Sequence, residues 1–380
     1  MSGKKKSLFA ATCVVTGNSI GSGVMAIPFF IQKAGIIGAV IAFAAAYIVS
    51  IILHMMIAEV LLTGKSENDI LEAFRTYLFK GKLKPVLTTG FFIVLVIALV
   101  SNLAAYISGT AEILEGLVPL PDAVVKVLFY VVCAAIVLMG LRTVGLSEKI
   151  TVGFMCVLLV PTIIVSVMHK NGTGMGVTGG IDAFAAGYSM IMFSLSAIFA
   201  IPQIIEILDN DTKKIRQSIY LGIGLNLLMS IAVAVCAIMT SKEVTKLAIM
   251  GWADAVGGAV RVFGSIFVVC AMMTSFWSIG FAACEMVRIR TKLPYFPCFC
   301  IATLPSLALT FFLNSEFTNY MKIAGGAIAM IISLMVIPTF VLCMRGKKTQ
   351  ILTAAGASVF SVAFVFAMHI LMAVGSVIDF

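Results

Sequence analysis

The chain has 380 residues, of which 61% are hydrophobic and only 11% charged, and its mean hydropathy is +1.13. Soluble domains run near 45–50% apolar and about 25% charged, so a water-soluble enzyme is excluded and an all-α helix bundle in a lipid bilayer is expected. The net charge of +9 would suit nucleic acid, but its distribution follows topology. With the N-terminus in the cytoplasm, 19 of the 26 Lys and Arg fall in inner loops and 7 outside, the positive-inside pattern.

Roughly 20 apolar residues cross a bilayer core, and eleven stretches qualify: 8–32, 36–62, 85–111, 122–141, 148–168, 183–208, 217–240, 257–287, 296–313, 317–342 and 351–376. An odd count places Phe380 outside, in a multi-pass plasma (inner) membrane protein. Lys4, Lys5 and Lys6 imitate the start of a secretory signal. The apolar run that follows has no small-residue cleavage site, so it is kept as the first span.

Inside that span, Thr16 to Phe29 holds Gly17, Gly21, Gly23 and Pro28 among polar residues. Glycine and proline weaken a helix and free backbone groups, which lipid cannot satisfy. The expectation is a helix broken to hold a solute and an ion, as transporters do. Freed amides at Ser22 and Gly23 suit a carboxylate; carbonyls near Ser19 and Phe193 suit an ammonium. Between spans two and three, acids (Glu67, Asp69, Glu72) precede bases (Arg75, Lys80, Lys82, Lys84). That order predicts a short surface helix with Phe74, Tyr77 and Leu78 toward the bilayer surface.

A second interruption runs from Phe193 through Ser194 and Ser196 to Phe199 and Pro202 in span six. The five-span offset predicts an inverted repeat of five plus five helices, 8–168 and 183–342, with the eleventh span appended in a single domain 1–380. Glu59, Glu206 and Glu285 fall near cytoplasmic ends, where ion pairing with Arg288 or Lys213 and snorkelling to water are both open. No central acidic residue is expected to face the substrate pocket, which disfavours a cationic substrate. The nine cysteines are scattered, and the close pair Cys298 and Cys300 lacks zinc-spaced partners. No nucleophile–base pair, metal cluster or phosphate loop is present, so neither catalysis nor a cofactor is expected. His54 and Lys322 acquire no role.

The run Gly21-Ser22-Gly23 leading to Pro28-Phe29, with Lys213-Lys214-Ile215-Arg216-Gln217-Ser218-Ile219 up to Gly222, resembles the amino acid–polyamine–organocation superfamily. Within it, the likeness is to amino acid/auxin and aromatic amino acid permeases. More distantly, the chain is similar to the leucine transporter of the neurotransmitter–sodium symporter family. That resemblance implies a sodium site of Gly17, Ile20 and Ala271 carbonyls with Thr274 and Ser275 hydroxyls, oxygens that suit a hard cation. Hydroxyls bonded back to their own helix are the structural alternative. Val24 replaces an asparagine side chain of that family's first sodium site, so one sodium ion is expected. Proton-coupled relatives can place a lysine of span five in the sodium site. Here Thr151 to Val165 has none, and Lys149 lies at the edge.

The same likeness puts Tyr106 at the substrate carboxylate, although an interfacial aromatic belt would also explain it. It matches Phe193, Ser194, Ser196 and Phe199 to the substrate-binding segment of span six, with Phe199 either lining the side-chain pocket or packing the bundle. The implied function is sodium-coupled symport of a neutral, hydrophobic amino acid by alternating access. A proton-coupled or exchange permease is the rival on the same fold. A sensor would need longer tails than Met1 to Leu8 and Val377 to Phe380 provide, and a channel would need repeated polar faces on several spans.

Overall fold

The computed structural model describes residues 7–21, 23–64, 70–115, 117–170, 172, 174–245, 248–312 and 327–378. Among these every regular element is helical. Seven helices are long and apolar enough to cross a membrane, and Leu8–Ile20, Ile181–Ser194 and Met330–Cys343 are shorter apolar ones. Val40, Ile97, Val157 and Leu228 stand exposed on outer faces, where a bilayer would cover them.

Helix α1 (Leu8–Ile20) starts at Ser7, whose Oγ accepts the Ala10 N–H. Thirteen residues reach about 20 Å, short of the roughly 30 Å apolar core. The ten residues Ala11 to Ile20 are all buried, so beyond its exposed first turn at Phe9 this helix presents no face to lipid and lies in the middle of the bundle. It stops at Gly21, whose φ of 36° is a conformation that side chains resist. A single 3₁₀ turn, Gly23–Met25, leads into α2 (Ile27–Thr63). Pro28 sits in the first turn of α2, where its missing N–H leaves no gap in the helix. The chain folds back at Gly35 (φ 75°), so 27–34 completes the first span and 36–63 forms the second.

Then follow α3 (Ile70–Tyr77), α4 (Lys84–Leu114), α5 (Asp122–Leu138) and α6 (Leu141–Met168). The short helix expected after span two is α3, but its Phe74 does not face lipid. It is buried, edge-on to Phe91 at 5.8 Å and beside Ile57, Leu61 and Val336. The apolar face of α3 is buried more fully by docking on the bundle than by resting on a surface. The fifth span also begins earlier than hydropathy indicates, at Leu141 instead of 148. Arg142, Ser147 and Glu148 depress the local hydropathy, yet the helix runs through them.

The second half comprises α7 (Ile181–Ser194), α8 (Ala200–Ile207), α9 (Thr212–Thr240), α10 (Ala248–Val256), α11 (Gly258–Thr291), α12 (Tyr295–Phe312), α13 (Ala327–Cys343) and α14 (Val359–Ser376). Span six is broken between α7 and α8, as span one is between α1 and α2. The described part of span ten is α13; Lys322 lies outside the described residues. The eleventh helix starts at Val359, not 351. Instead, the N–H groups of Gln350 (2.7 Å), Ile351 and Leu352 (2.8 Å) all donate to Glu59 Oε1. Glu59 is fully buried, so it does not snorkel, and no ion pair among the described residues includes it. It holds a loop by charge-assisted bonds, which a buried carboxylate requires.

Candidate functional site

The two breaks lie side by side, and residues distant in sequence satisfy the backbone they free. Ser50 Oγ donates to the Leu195 carbonyl (3.0 Å), and His54 Nε2 accepts the Ala197 N–H (2.7 Å). His54 Nδ1 lies 2.6 Å from the Ser50 carbonyl, so the network assigns the proton to Nδ1 and a neutral ring. His54 thereby acquires a role: it replaces helical hydrogen bonds lost at the second break. Asn226 of α9 joins the two breaks directly. Its Nδ2 donates to Ser19 Oγ (2.8 Å) and to the Ser194 carbonyl (2.6 Å), while Oδ1 accepts from Ser230 (3.1 Å).

Between the breaks is a small cavity lined by polar Asn18, Ser19, Asn102, Tyr106 and Ser196, by Gly21, and by apolar Phe193, Ile198, Phe199 and Ile279. Of the residues expected to touch substrate, Ser19, Tyr106, Phe193, Ser196 and Phe199 therefore share one cavity. Gly23 and Ser194 are not in its lining: Gly23 packs on Phe193 and Ser194, and the Ser194 carbonyl accepts from Asn226. The Phe193 carbonyl accepts the Ser196 N–H (3.1 Å). Ser22 lies outside the described residues.

Five lining residues that the sequence reading did not assign to the substrate are Asn18, Gly21, Asn102, Ile198 and Ile279. Asn18 is buried and its Nδ2 has no protein acceptor, a donor that a ligand could use. An amide side chain in mid-span is itself a sequence signal. The Tyr106 hydroxyl is within reach of both Asn102 and Ser275 and stands against Gly21. It thus bridges the cavity to the region expected to hold an ion.

That region gathers Gly17, Ala271, Thr274 and Ser275. Ser275 Oγ donates to the carbonyls of Gly17 (3.0 Å) and Asn18 (3.2 Å), and Thr274 Oγ1 to that of Ala271 (2.9 Å). Ile20 is buried at the end of α1, where a carbonyl lacks a helical acceptor role. A Cβ built on Gly17 would be 3.0 Å from the Thr274 Cβ and 3.5 Å from Glu148 Cγ, so α1, α6 and α11 meet here. Glu148 is fully buried and neither carboxylate oxygen has a hydrogen-bond partner. The early start of α6 puts it about two turns inside the helix.

Phe199 also borders a second cavity of ≈ 930 Å³, shared with Ile70, Gln203, Glu206, Glu285 and Arg288. Glu285 and Arg288 are ion-paired at 2.7 Å, one of the pairings open from sequence. Glu206 is exposed. Phe199 therefore stands between the inner cavity and a polar vestibule at the end of the bundle that carries α3.

Apolar helices, two of them broken around a common cavity, define a multi-pass membrane transporter of the five-plus-five inverted-repeat fold, and not an enzyme. Solved structures agree on the fold. MhsT in complex with L-phenylalanine superposes with a TM-score of 0.65 at 14% identity, covering 97% of both chains. A nucleobase-cation-symport-1 family transporter with bromovinylhydantoin bound gives 0.64 at 11%, covering 97% of this chain and 90% of its own. The Eremococcus coleocola manganese transporter gives 0.68 at 12%, covering 97% and 86%.

The chain belongs to the tryptophan/tyrosine permease family, whose model matches residues 4–376. Among similar proteins, the tyrosine-specific transport system 1 of Haemophilus influenzae is 23% identical over 304 residues, 74% of this chain and 73% of its own length. Glutamine transporter 2 of Aliivibrio fischeri is 22% identical over 363 residues, 90% of each.

Proposed function

We propose that the protein carries a neutral amino acid with a bulky hydrophobic, preferentially aromatic, side chain, in symport with one sodium ion. The observation that carries this reading is the cavity between the breaks, whose lining combines the amides and hydroxyls of Asn18, Asn102, Ser19, Ser196 and Tyr106 with apolar Phe193, Ile198, Phe199 and Ile279. In this reading the Asn18 amide and Tyr106 hydroxyl face the carboxylate, and the Ser19 carbonyl faces the ammonium. Ser194 and Ser196 keep the second break open beside it. Names of relatives point the same way: one is a tyrosine-specific transport system, and MhsT was solved with L-phenylalanine.

Sodium is held by the carbonyls of Gly17, Ile20 and Ala271 and the hydroxyls of Thr274 and Ser275. Two oxygens of this set, the Gly17 carbonyl and the Ser275 hydroxyl, already lie 3.0 Å apart, close enough to converge on a cation once the hydroxyl turns its lone pairs inward. Because Tyr106 reaches Ser275, ion binding and substrate binding act on one hydrogen-bonded chain. Displacement of Phe199 then opens the cavity to the vestibule, the inner half of alternating access. The charge asymmetry of the loops supports a cytoplasmic N-terminus and a C-terminus outside.

Sodium coupling has useful magnitude. A tenfold gradient supplies about 1.4 kcal/mol and 100 mV adds about 2.3 kcal/mol per charge. The total of about 3.7 kcal/mol sustains roughly 500-fold accumulation of a zwitterion. The test is uptake of labelled tyrosine, phenylalanine, tryptophan and glutamine into proteoliposomes in sodium or choline. Sodium-dependent uptake with an aromatic preference is expected. Undiminished uptake in choline removes sodium and leaves a proton-coupled or exchange permease; glutamine outcompeting all three aromatics removes the assignment of the apolar wall.

A further inference from the structure

We infer that Glu148 is an anionic ligand of the cation site, closing it from α6 opposite the oxygens of α1 and α11. The inference rests on the sodium reading above and adds to it a residue and a charge. The carboxylate is fully buried at the meeting point of three helices, next to Gly17 and Thr274.

No group of the protein satisfies it. Both oxygens lack hydrogen-bond partners, and no ion pair among the described residues includes Glu148. The neighbouring Ser278 hydroxyl accepts from Gln203 Nε2 (3.0 Å) and keeps its own hydrogen to give, so it is a protein donor beside the carboxylate, but it makes no hydrogen bond of good geometry to either oxygen. Lys149, next in sequence, points elsewhere, with its ammonium over the Phe9 ring at 5.7 Å. Arg288 on the facing helix is paired with Glu285. An ionised carboxylate so placed is strongly unfavourable unless a cation lies against it; without one it is relieved only by taking up a proton.

The converse holds for the cation. Carbonyls and hydroxyls alone would leave a net positive charge deep in the bundle, which is costly in a membrane interior. With Glu148 the occupied site is neutral, and its carboxylate supplies the hard oxygen that such ions favour. One cation then ties α6 to α1 and α11.

The experiment follows thermal unfolding of the purified full-length protein against sodium chloride, with choline chloride holding ionic strength constant. A ligand of the folded state at free concentration L stabilises it by RT ln(1 + L/Kd), so a fit of the midpoint against sodium concentration gives the half-saturating value. Wild type is compared with Glu148→Gln, which keeps the shape and removes the charge, and with Glu148→Asp, which keeps the charge and withdraws it by one methylene. The half-saturating sodium concentration should rise at least about 10-fold in Glu148→Gln, with a sodium-free midpoint equal to or above wild type, and by less in Glu148→Asp. An unchanged half-saturation in Glu148→Gln overturns the inference while leaving the sodium site intact. If Glu148→Gln does not fold, an unchanged value in Glu148→Asp overturns it. A wild-type protein indifferent to sodium overturns the sodium reading itself, and this inference with it.

Discussion

Asn226 offers the sharpest test of how the two breaks are held. It is fully buried on α9 and does not line the cavity, yet its Nδ2 bonds to Ser19 of one break and to the Ser194 carbonyl of the other. Asn226→Ala removes both links; Asn226→Asp removes the donor but keeps an acceptor for Ser230. Interhelical hydrogen bonds in membrane proteins average about 0.6 kcal/mol and reach about 1.7. Two of them are therefore worth about 1.2 to 3.4 kcal/mol, or roughly 8- to 300-fold in the population of the paired arrangement. Equilibrium binding of labelled tyrosine to purified protein should weaken within that range in both variants. The rank order among amino acids should persist, because the wall that selects the side chain is untouched. Folded Asn226→Ala protein that binds within twofold of wild type would refute the reasoning.

Four further outcomes follow from the geometry. Ser275→Ala removes the hydroxyl beside the Gly17 carbonyl and should raise half-saturating sodium about 10-fold in a sodium-titrated binding assay. Phe199→Ala joins the inner cavity to the vestibule; stopped-flow measurement should show substrate leaving at least about 10-fold faster, an effect of about 1.4 kcal/mol. At Gly222 a Cβ would be 2.5 Å from the Val15 Cβ and 2.9 Å from the Thr12 carbonyl oxygen. Gly222→Ala should thus push α1 off α9 at a cost of about 1–3 kcal/mol, read as a lower unfolding midpoint. Glu59→Gln weakens three bonds to the 350–352 backbone, so those amides should exchange with deuterium about 10-fold faster; unchanged exchange would mean that the carboxylate is not what holds the loop.

The clearest features in the sequence were those set by a few consecutive residues. Gly21, Gly23 and Pro28 mark the first break, and the hydroxyl-rich run ending at Pro202 marks the second, because backbone conformation and lipid solubility are local properties. The same reasoning misplaced residues at span edges. A start at 148 left Glu148 at a boundary, whereas α6 begins at Leu141 and buries it. It likewise began span eleven at 351, where the chain instead turns in to meet Glu59.

Composition and motif thus determined that the chain lives in lipid, crosses it about eleven times and interrupts two spans at matching positions. Tertiary structure alone decided what completes those interruptions. His54 reaches Ala197 across 143 residues of sequence and Asn226 reaches Ser19 across 207. Glu148 lies against Gly17 only because α6 packs beside α1. Hydropathy averages over a window and places a helix in the membrane, but satisfying a freed carbonyl or a buried charge depends on one atom from a distant helix arriving within about 3 Å.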